Sequence, residues 1–436
     1  MAACGRAAWD AAAAHGAAPQ KRETTGSLRH HEIILRVAMA AIPLAWGQPN
    51  PGVTLLHEFP ATPADGANPY GGVVFGSNGV IYGTTDAGGG PQNNGIVYSL
   101  TPPASPGGSW TQAILWSPTY GQGINPYATP AIGANGALYG TLFGGANGGN
   151  GSVFALQPPT SPSGTWTAQV LHRFSGSPDG ASPTSGVAIG PGGMLYGTTS
   201  EGGKSNAGAV YSVQLPATPG GSVTEAVLYS FTGGADGGNP FGPVLPGAGG
   251  VLYGTTRFGG AADYGCVFQL TPPAMAGGSW TEQVLYSFSG SPDAYPIGGV
   301  IAGANGVLYG ATFGMPQSGN NYGNVYQLAP AAGGGTWVYS NIHSFTSQVT
   351  DAADPVGVAL GPNGVLYGGA HSGRTPIFAL TPPGTPGRPW TLTPLGQIKS
   401  SYAPLTVGPD GALYGVSFGK FGLRGEGGSV FRVSLR

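Results

Sequence analysis

The 436 residues could fill two or three ordinary domains, but 83 glycines, 41 prolines and only 7% charged residues are not an ordinary globular composition. A net charge of −2, a pI near 6.4 and the lack of any basic run exclude the electrostatic footprint of a nucleic-acid binder. The two cysteines, Cys4 and Cys266, lie too far apart in role and place to staple a fold.

Residues 1–50 read as an N-terminal extension. Its first 31 residues are Ala-rich, then polar, without strand pattern. Arg36 precedes an apolar run from Val37 to Ala45 and a small-x-small site, Ala45-Trp46-Gly47. This resembles a secretory signal ending near residue 47, and the run is too short to span a bilayer. Thirty-six residues before the apolar core is long for such a signal. We therefore expect either a start downstream of Met1 or an uncleaved tail. The expected location is the bacterial exterior: secreted, periplasmic or on the surface, with no transmembrane segment.

Residues 51–436 repeat themselves. Copies of Leu-Tyr-Gly-Thr-Thr centre on Tyr82, Tyr139, Tyr196, Tyr253, Tyr309, Tyr367 and Tyr414, mostly 57 residues apart. Each unit holds four short β-type runs. The first, as in Gly72–Phe75, ends in Asn-Gly or Asp-Gly (Asn78-Gly79, Asn135-Gly136, Asn305-Gly306, Asn363-Gly364, Asp410-Gly411). Such pairs accept the positive φ angles of a type I′ hairpin turn. The second run is the tyrosine strand. The third, such as Val267–Leu270, stops at Thr-Pro-Pro, since proline cannot donate to a ladder. The fourth starts at a tryptophan in most copies and leads into an Asp-Gly-x-Asn-Pro loop.

Four antiparallel strands at this spacing predict propeller blades. The seventh unit ends on its third run, Val430–Val433, while an orphan fourth run, Val53–Phe59, stands before the first unit. The expected fold is therefore all-β: a seven-bladed propeller closed by an N-terminal strand that completes the last blade and hides its edge.

The motif Leu-Tyr-Gly-Thr-Thr-x-x-Gly-Gly … Gly-x-Val-Phe-x-Leu-Thr-Pro, complete in Val251–Pro273, resembles the GloVer (Gloeobacter–Verrucomicrobia) tandem repeat of exported bacterial proteins. The resemblance implies a bacterial, surface or secreted, propeller-like protein. It carries no established activity and no catalytic residues. Many members end in an anchoring segment; with the last strand at Arg436, none is expected here.

No enzyme motif survives inspection. Gly202-Gly203-Lys204-Ser205 lacks the leading glycine of a phosphate loop, since position 198 is threonine. His31-Glu32 and His57-Glu58 lack the second histidine of a zinc helix, and no Gly-x-Ser-x-Gly elbow occurs. Cys266 takes a slot filled elsewhere by Ile96, Ser152, Ala209, Asn324 and Ser429, which suits packing. His57, His172 and His343 share a slot with Trp116, Tyr229 and Tyr286, which suits a flat ring against a neighbour.

Loops between second and third strands, and those joining blades, share one end of a propeller, the default binding face. Two rows are expected there. The acids Asp65, Asp179, Asp236, Asp293 and Asp351 (with Gln122 and Ser400 in the other units) could ring a calcium ion, although an Asp before Gly more simply starts an Asx turn. The aromatics Phe143, Phe258, Phe313 and Phe418 could stack on sugars or tuck between blades. Arg257, Lys204, Lys420, Asp86 and His371 vary from unit to unit and supply the asymmetry a ligand needs.

The ligand-binding candidates are accordingly Phe143, Phe258, Phe313, Phe418, His371 and Arg257, without catalytic or metal residues and without a cofactor. The expected function is a monomeric, non-enzymatic binding module for carbohydrate or a surface protein. Two alternatives are a purely structural surface module and a propeller-type lyase or hydrolase, the latter using His371 with Asp351 or Asp354 and Arg374.

Overall fold

The computed structural model describes residues 52–435, except for 61, 63, 106, 146–148, 162, 217–220, 276, 291–292, 315–321, 332–334, 347–350, 374–375, 386, 399–400 and 419–426. The expected signal lies outside the described residues, as do Arg374, Ser400 and Lys420. The remainder forms seven successive antiparallel blades, mostly of four strands, in a ring. Blade 1 comprises Val74–Phe75, Ile81–Thr85, Ile96–Thr101 and Thr111–Trp116. Blades 2 to 6 repeat it around the second strands Leu138–Gly144, Leu195–Thr199, Leu252–Thr256, Leu308–Thr312 and Leu366–Gly373. A short extra strand, Ile124–Pro126, joins blade 2.

Blade 7 takes Thr406–Val407, Leu413–Ser417 and Ser429–Val433 from the end of the chain and Val53–Glu58 from its start. Val53 pairs with Val433, Leu55 with Phe431 and Glu58 with Ser429. Just past this strand, Phe59 N donates to Gly428 O at 2.9 Å and Gly427 N to Phe59 O at 3.1 Å. The ring closes as the strand offset predicts.

The repeated motif explains itself in the packing. In blade 4, Gly254 lies opposite Phe268, and a Cβ there would come within 2.4 Å of the ring. The same glycine–aromatic pair recurs in every blade, from Gly83–Tyr98 to Gly415–Phe431. Each of these rings is at most 1% exposed. Each also meets an aromatic from the end of the preceding blade, except in blade 7: Phe59–Tyr98 at 5.2 Å, Trp116–Phe154 at 5.0 Å, Phe174–Tyr211 at 4.9 Å, Phe231–Phe268 at 5.1 Å, Phe288–Tyr326 at 5.3 Å and Phe345–Phe378 at 5.0 Å. The core is therefore a set of clusters lying between blades rather than one central mass.

The first threonine of the motif bonds across the joint. Thr84, Thr141, Thr198 and Thr255 donate through Oγ1 to Ala128 O, Ser185 O, Gly242 O and Gly298 O of the next blade, at 2.8–3.0 Å. Ala311, Gly369 and Val416 hold this slot in blades 5 to 7. At the closing joint Thr406 Oγ1 donates to Val73 O at 2.7 Å instead.

Two local features differ from expectation. The hairpin turn has positive φ at both central residues at Asn78-Gly79, Asn305-Gly306 and Asn363-Gly364, but only at the glycine in Asn135-Gly136 and Asp410-Gly411. There the Asn135 and Asp410 side chains accept the N–H of Ala137 and Ala412, each at 3.1 Å, replacing the type I′ geometry by a local Asx bond. Further, the fourth strands are not regular. Each carries a one-residue bulge, at Leu56, Leu115, Leu171, Leu228, Leu285, Ile342 or Leu395.

Cys266 is fully buried beside Thr256, and burial pushes its thiol up to about 12, so it is a packing residue. Phe59, 2% exposed at the closing joint, tests the ring. Phe59→Ala is expected to lower stability by about 3–5 kcal/mol in urea unfolding; an unchanged midpoint would mean that the joint does not hold the fold.

Candidate functional site

The chain enters each first strand through one inward residue: Tyr70, Tyr127, Thr184, Phe241, Ile297, Val356 or Tyr402. It leaves each second strand through another: Asp86, Phe143, Ser200, Arg257, Phe313, His371 or Phe418. Backbone bonds tie residues of the second set to the residue two before the first, as Arg257 N to Asn239 O at 3.0 Å and Phe313 N to Tyr295 O at 3.1 Å. Both sets lie at the same end of the blades, around the axis.

Their rings form a continuous arc over five blades. Phe143 meets Tyr127 at 5.6 Å, and Tyr127 stacks on Tyr70 at 4.4 Å. Tyr70 meets Phe418 at 4.6 Å and Tyr402 at 5.1 Å. Tyr402 meets His371 at 4.2 Å, and His371 stacks on Phe313 at 5.9 Å. Phe418 is buried, whereas Phe143, Phe313 and His371 are half-buried.

Blade 4 breaks the aromatic row with Arg257. Its guanidinium lies 5.1 Å from the Phe258 ring and 5.8 Å from Phe241. It makes no hydrogen bond or ion pair among the described residues, and its Nε is shut away from solvent without a partner. Burial pushes its pKa down, while the hydroxyls of Tyr295 and Tyr127 act in the opposite sense.

The structure thus links Phe143, Phe418, His371 and Phe313 through ring contacts, while Arg257 lies against Phe241 and Phe258. Phe258 does not share their slot: it stands one residue beyond Arg257, is 39% exposed, and packs edge-on to Tyr295 at 5.5 Å. Aligning repeats on their loop glycines put Phe258 in the row; the strand ladder puts Arg257 there. Of the tyrosines in the arc, Tyr70 and Tyr127 follow an Asn-Pro pair that could have marked them in the sequence, whereas Tyr402 follows Ser401 and carries no such signal.

His371 Nε2 lies 3.1 Å from the Tyr402 hydroxyl, and Nδ1 has no partner. Burial lowers its pKa to about 4, so the ring is neutral at pH 7. No hydrogen bond joins it to Asp351 or Asp354, so the acid–base pairing considered for an enzyme is not formed. Asp351 instead binds Thr346 N, Ala352 N and His343.

The acid row is not an axial ring. Four of the acids lie at a blade joint beside the residue that follows the bulge, and Asp293 bonds instead to Asn324 and Tyr339. Asp65, Asp179, Asp236 and Asp351 sit 3.1–3.8 Å from His57, His172, Tyr229 and His343 respectively. They also accept backbone N–H groups of their own turns, from Gly66, Ser175, Thr232 and Thr346. The turn reading is the one the structure supports. The histidine slot does pack rings, as His57 on Phe59 at 4.7 Å, but pairing with the acid seven or eight residues on was not read from the sequence.

Asp354 stands where Asn125 and Asn239 donate through Nδ2 to the carbonyls of Asp86 and Ser200, at 2.8 and 2.9 Å. Only 4% exposed, Asp354 accepts from Ser372 at 2.8 Å, and its other oxygen has no partner. Burial raises its pKa to about 6. The folded state therefore favours the protonated acid, and stability falls as pH rises from about 4 through about 6. Asp354→Asn is expected to stabilise by on the order of 1–2 kcal/mol at pH 7 and by little at pH 4 in denaturant titrations.

The fold and this face define a seven-bladed β-propeller with an aromatic axial mouth. The chain belongs to the Gloeobacter/Verrucomicrobia repeat family, whose model matches residues 47–242, 127–376 and 247–436. No relative with a curated description matches it. Among solved structures it is similar to PorZ, a bacterial surface component of the type-IX secretion system of Porphyromonas gingivalis, with 15% identity and a TM-score of 0.50 over 84% of this chain and 46% of PorZ. It is also similar to the extracellular domain of BT4673 from B. thetaiotaomicron, with 12% identity and a TM-score of 0.50 over 87% of this chain and 41% of that one. An α-L-arabinanase of Penicillium chrysogenum gives 12% identity and a TM-score of 0.49 over 89% and 98%. At these identities the likeness is one of fold. Among the described residues no helix is long and apolar enough to cross a membrane.

Proposed function

We propose that the axial face binds an acidic saccharide, with the aromatic arc as the stacking surface and Arg257 as the anchor for a carboxylate. The observation that carries this reading is the Arg257 guanidinium, half-buried among rings and without an ion pair among the described residues. A buried cation with no partner is costly, and a planar carboxylate satisfies it with two parallel hydrogen bonds. Flat rings offer apolar faces to the C–H faces of a sugar. A neutral His371 adds a ring that can donate or accept without repelling a cationic neighbour.

The low overall charge agrees with a module whose selectivity rests on one cation rather than on a field. The signal-like pattern of residues 36–47 supports export, which places such a module where extracellular glycans are met. Fractionation that leaves the protein in the cytoplasm would overturn that part.

The test is an array of oligogalacturonates beside the matching neutral galacto-oligosaccharides. The acidic series is expected to bind, Arg257→Ala to weaken it at least tenfold, and Phe313→Ala to weaken it several-fold. Absence of binding, equal binding of the two series, or Arg257→Ala behaving as wild type would refute the assignment.

A further inference from the structure

We propose that the outer joint between blades 2 and 3 binds a divalent transition-metal ion, zinc by its ligand chemistry, on His172, Asp179 and Glu225. His172 follows the bulge at Leu171, Asp179 lies in the loop between the blades, and Glu225 projects from the fourth strand of blade 3. One ligand atom from each lies within 4.8 Å of the other two, and all three residues are half-buried.

The other joints show what is unusual here. Where blade 7 meets blade 1, Gln112 Nε2 donates to Asp65 at 2.7 Å. Where blade 4 meets blade 5, the Tyr339 hydroxyl donates to Asp293 at 2.7 Å. Glu225 holds the same register position, opposite Val213 as Gln112 is opposite Leu100 and Tyr339 opposite Leu328. A carboxyl here does not offer the fixed donor that the amide and the hydroxyl supply, and burial pushes the Glu225 pKa up, with His172 opposing and Asp179 adding to the rise. Accordingly Asp179 Oδ1 and Glu225 Oε1 are both closed off from solvent without a hydrogen-bond partner. Two carboxyl groups stand here where those two joints place an acid and a donor.

A dication supplies the missing charge, and the imidazole nitrogen selects zinc over calcium, which takes oxygen ligands alone. The turn need not be disturbed, because Asp179 Oδ2 already accepts from Ser175 N at 2.9 Å and leaves Oδ1 to the metal. Lys204 lines the adjoining cavity, but its exposed ammonium makes no ion pair with either carboxylate. At the next joint Tyr229 replaces the histidine and bonds to Asp236, and burial, with the charge of Asp236, pushes Glu282 up to about 7.

The experiment takes the full chain, stripped with EDTA and dialysed, and titrates it with zinc chloride by calorimetry and thermal melting. One zinc per chain and a raised Tm are expected. Glu225→Gln and His172→Ala are each expected to weaken binding at least tenfold, while Glu282→Gln leaves it unchanged. Glu225→Gln can donate to Asp179 as Gln112 does to Asp65, so it should fold at least as stably as the stripped wild type. No zinc binding by the wild type would overturn the proposal. So would binding undiminished in Glu225→Gln, which would move the ion elsewhere, His30 and His31 included.

Discussion

The contact on which this molecule depends is an aromatic ring whose tip fills the space left by a glycine on the neighbouring strand. A Cβ at Gly254 would enter the Phe268 ring, and the same holds at the matching glycine of every blade. Because each ring except that of blade 7 also meets an aromatic from the blade before it, most of these contacts set both the sheet and its joint to the next sheet. That double duty lets so polar and glycine-rich a chain keep a dry interior. Hydrophobic burial is spread over interfaces rather than gathered at a centre, so each blade is stable only with two neighbours.

Most of this was legible in the sequence. Period, turn residues and the displaced fourth strand at Val53–Phe59 specified seven blades and their closure, because hairpin chemistry is local and repeats make it redundant. The bulge at each fourth strand was not legible. A residue such as Leu171 sits in an apolar run whether or not it is paired, and only the ladder reveals that it is skipped. The bulge also brings His172 beside Asp179, a pairing that no local pattern encodes.

The axial face was half legible. Phe143, Phe313, Phe418, Arg257 and His371 were recognisable as the variable positions of a repeated loop. Their mutual contacts were not, since they depend on how far each blade is rotated about the axis, which no local pattern encodes. Phe258 shows the limit: loop glycines are a poor ruler where loops differ in length, and a shift of one residue exchanges an aromatic for a cation.

Val53 pairs with Val433, 380 positions later, and this antiparallel strand pair has the greatest sequence separation of any in the molecule. Val53–Glu58 can therefore pair only after Ser429–Val433 has been made. Until then blade 7 presents an open flank, and the early segment waits without a partner while six blades stack behind it. The entropy of such a closure grows only slowly with the length spanned. Its kinetic consequence is larger: assembly becomes a vectorial process whose final event joins both extremities, and that event decides how long sticky β-edges remain available to other chains.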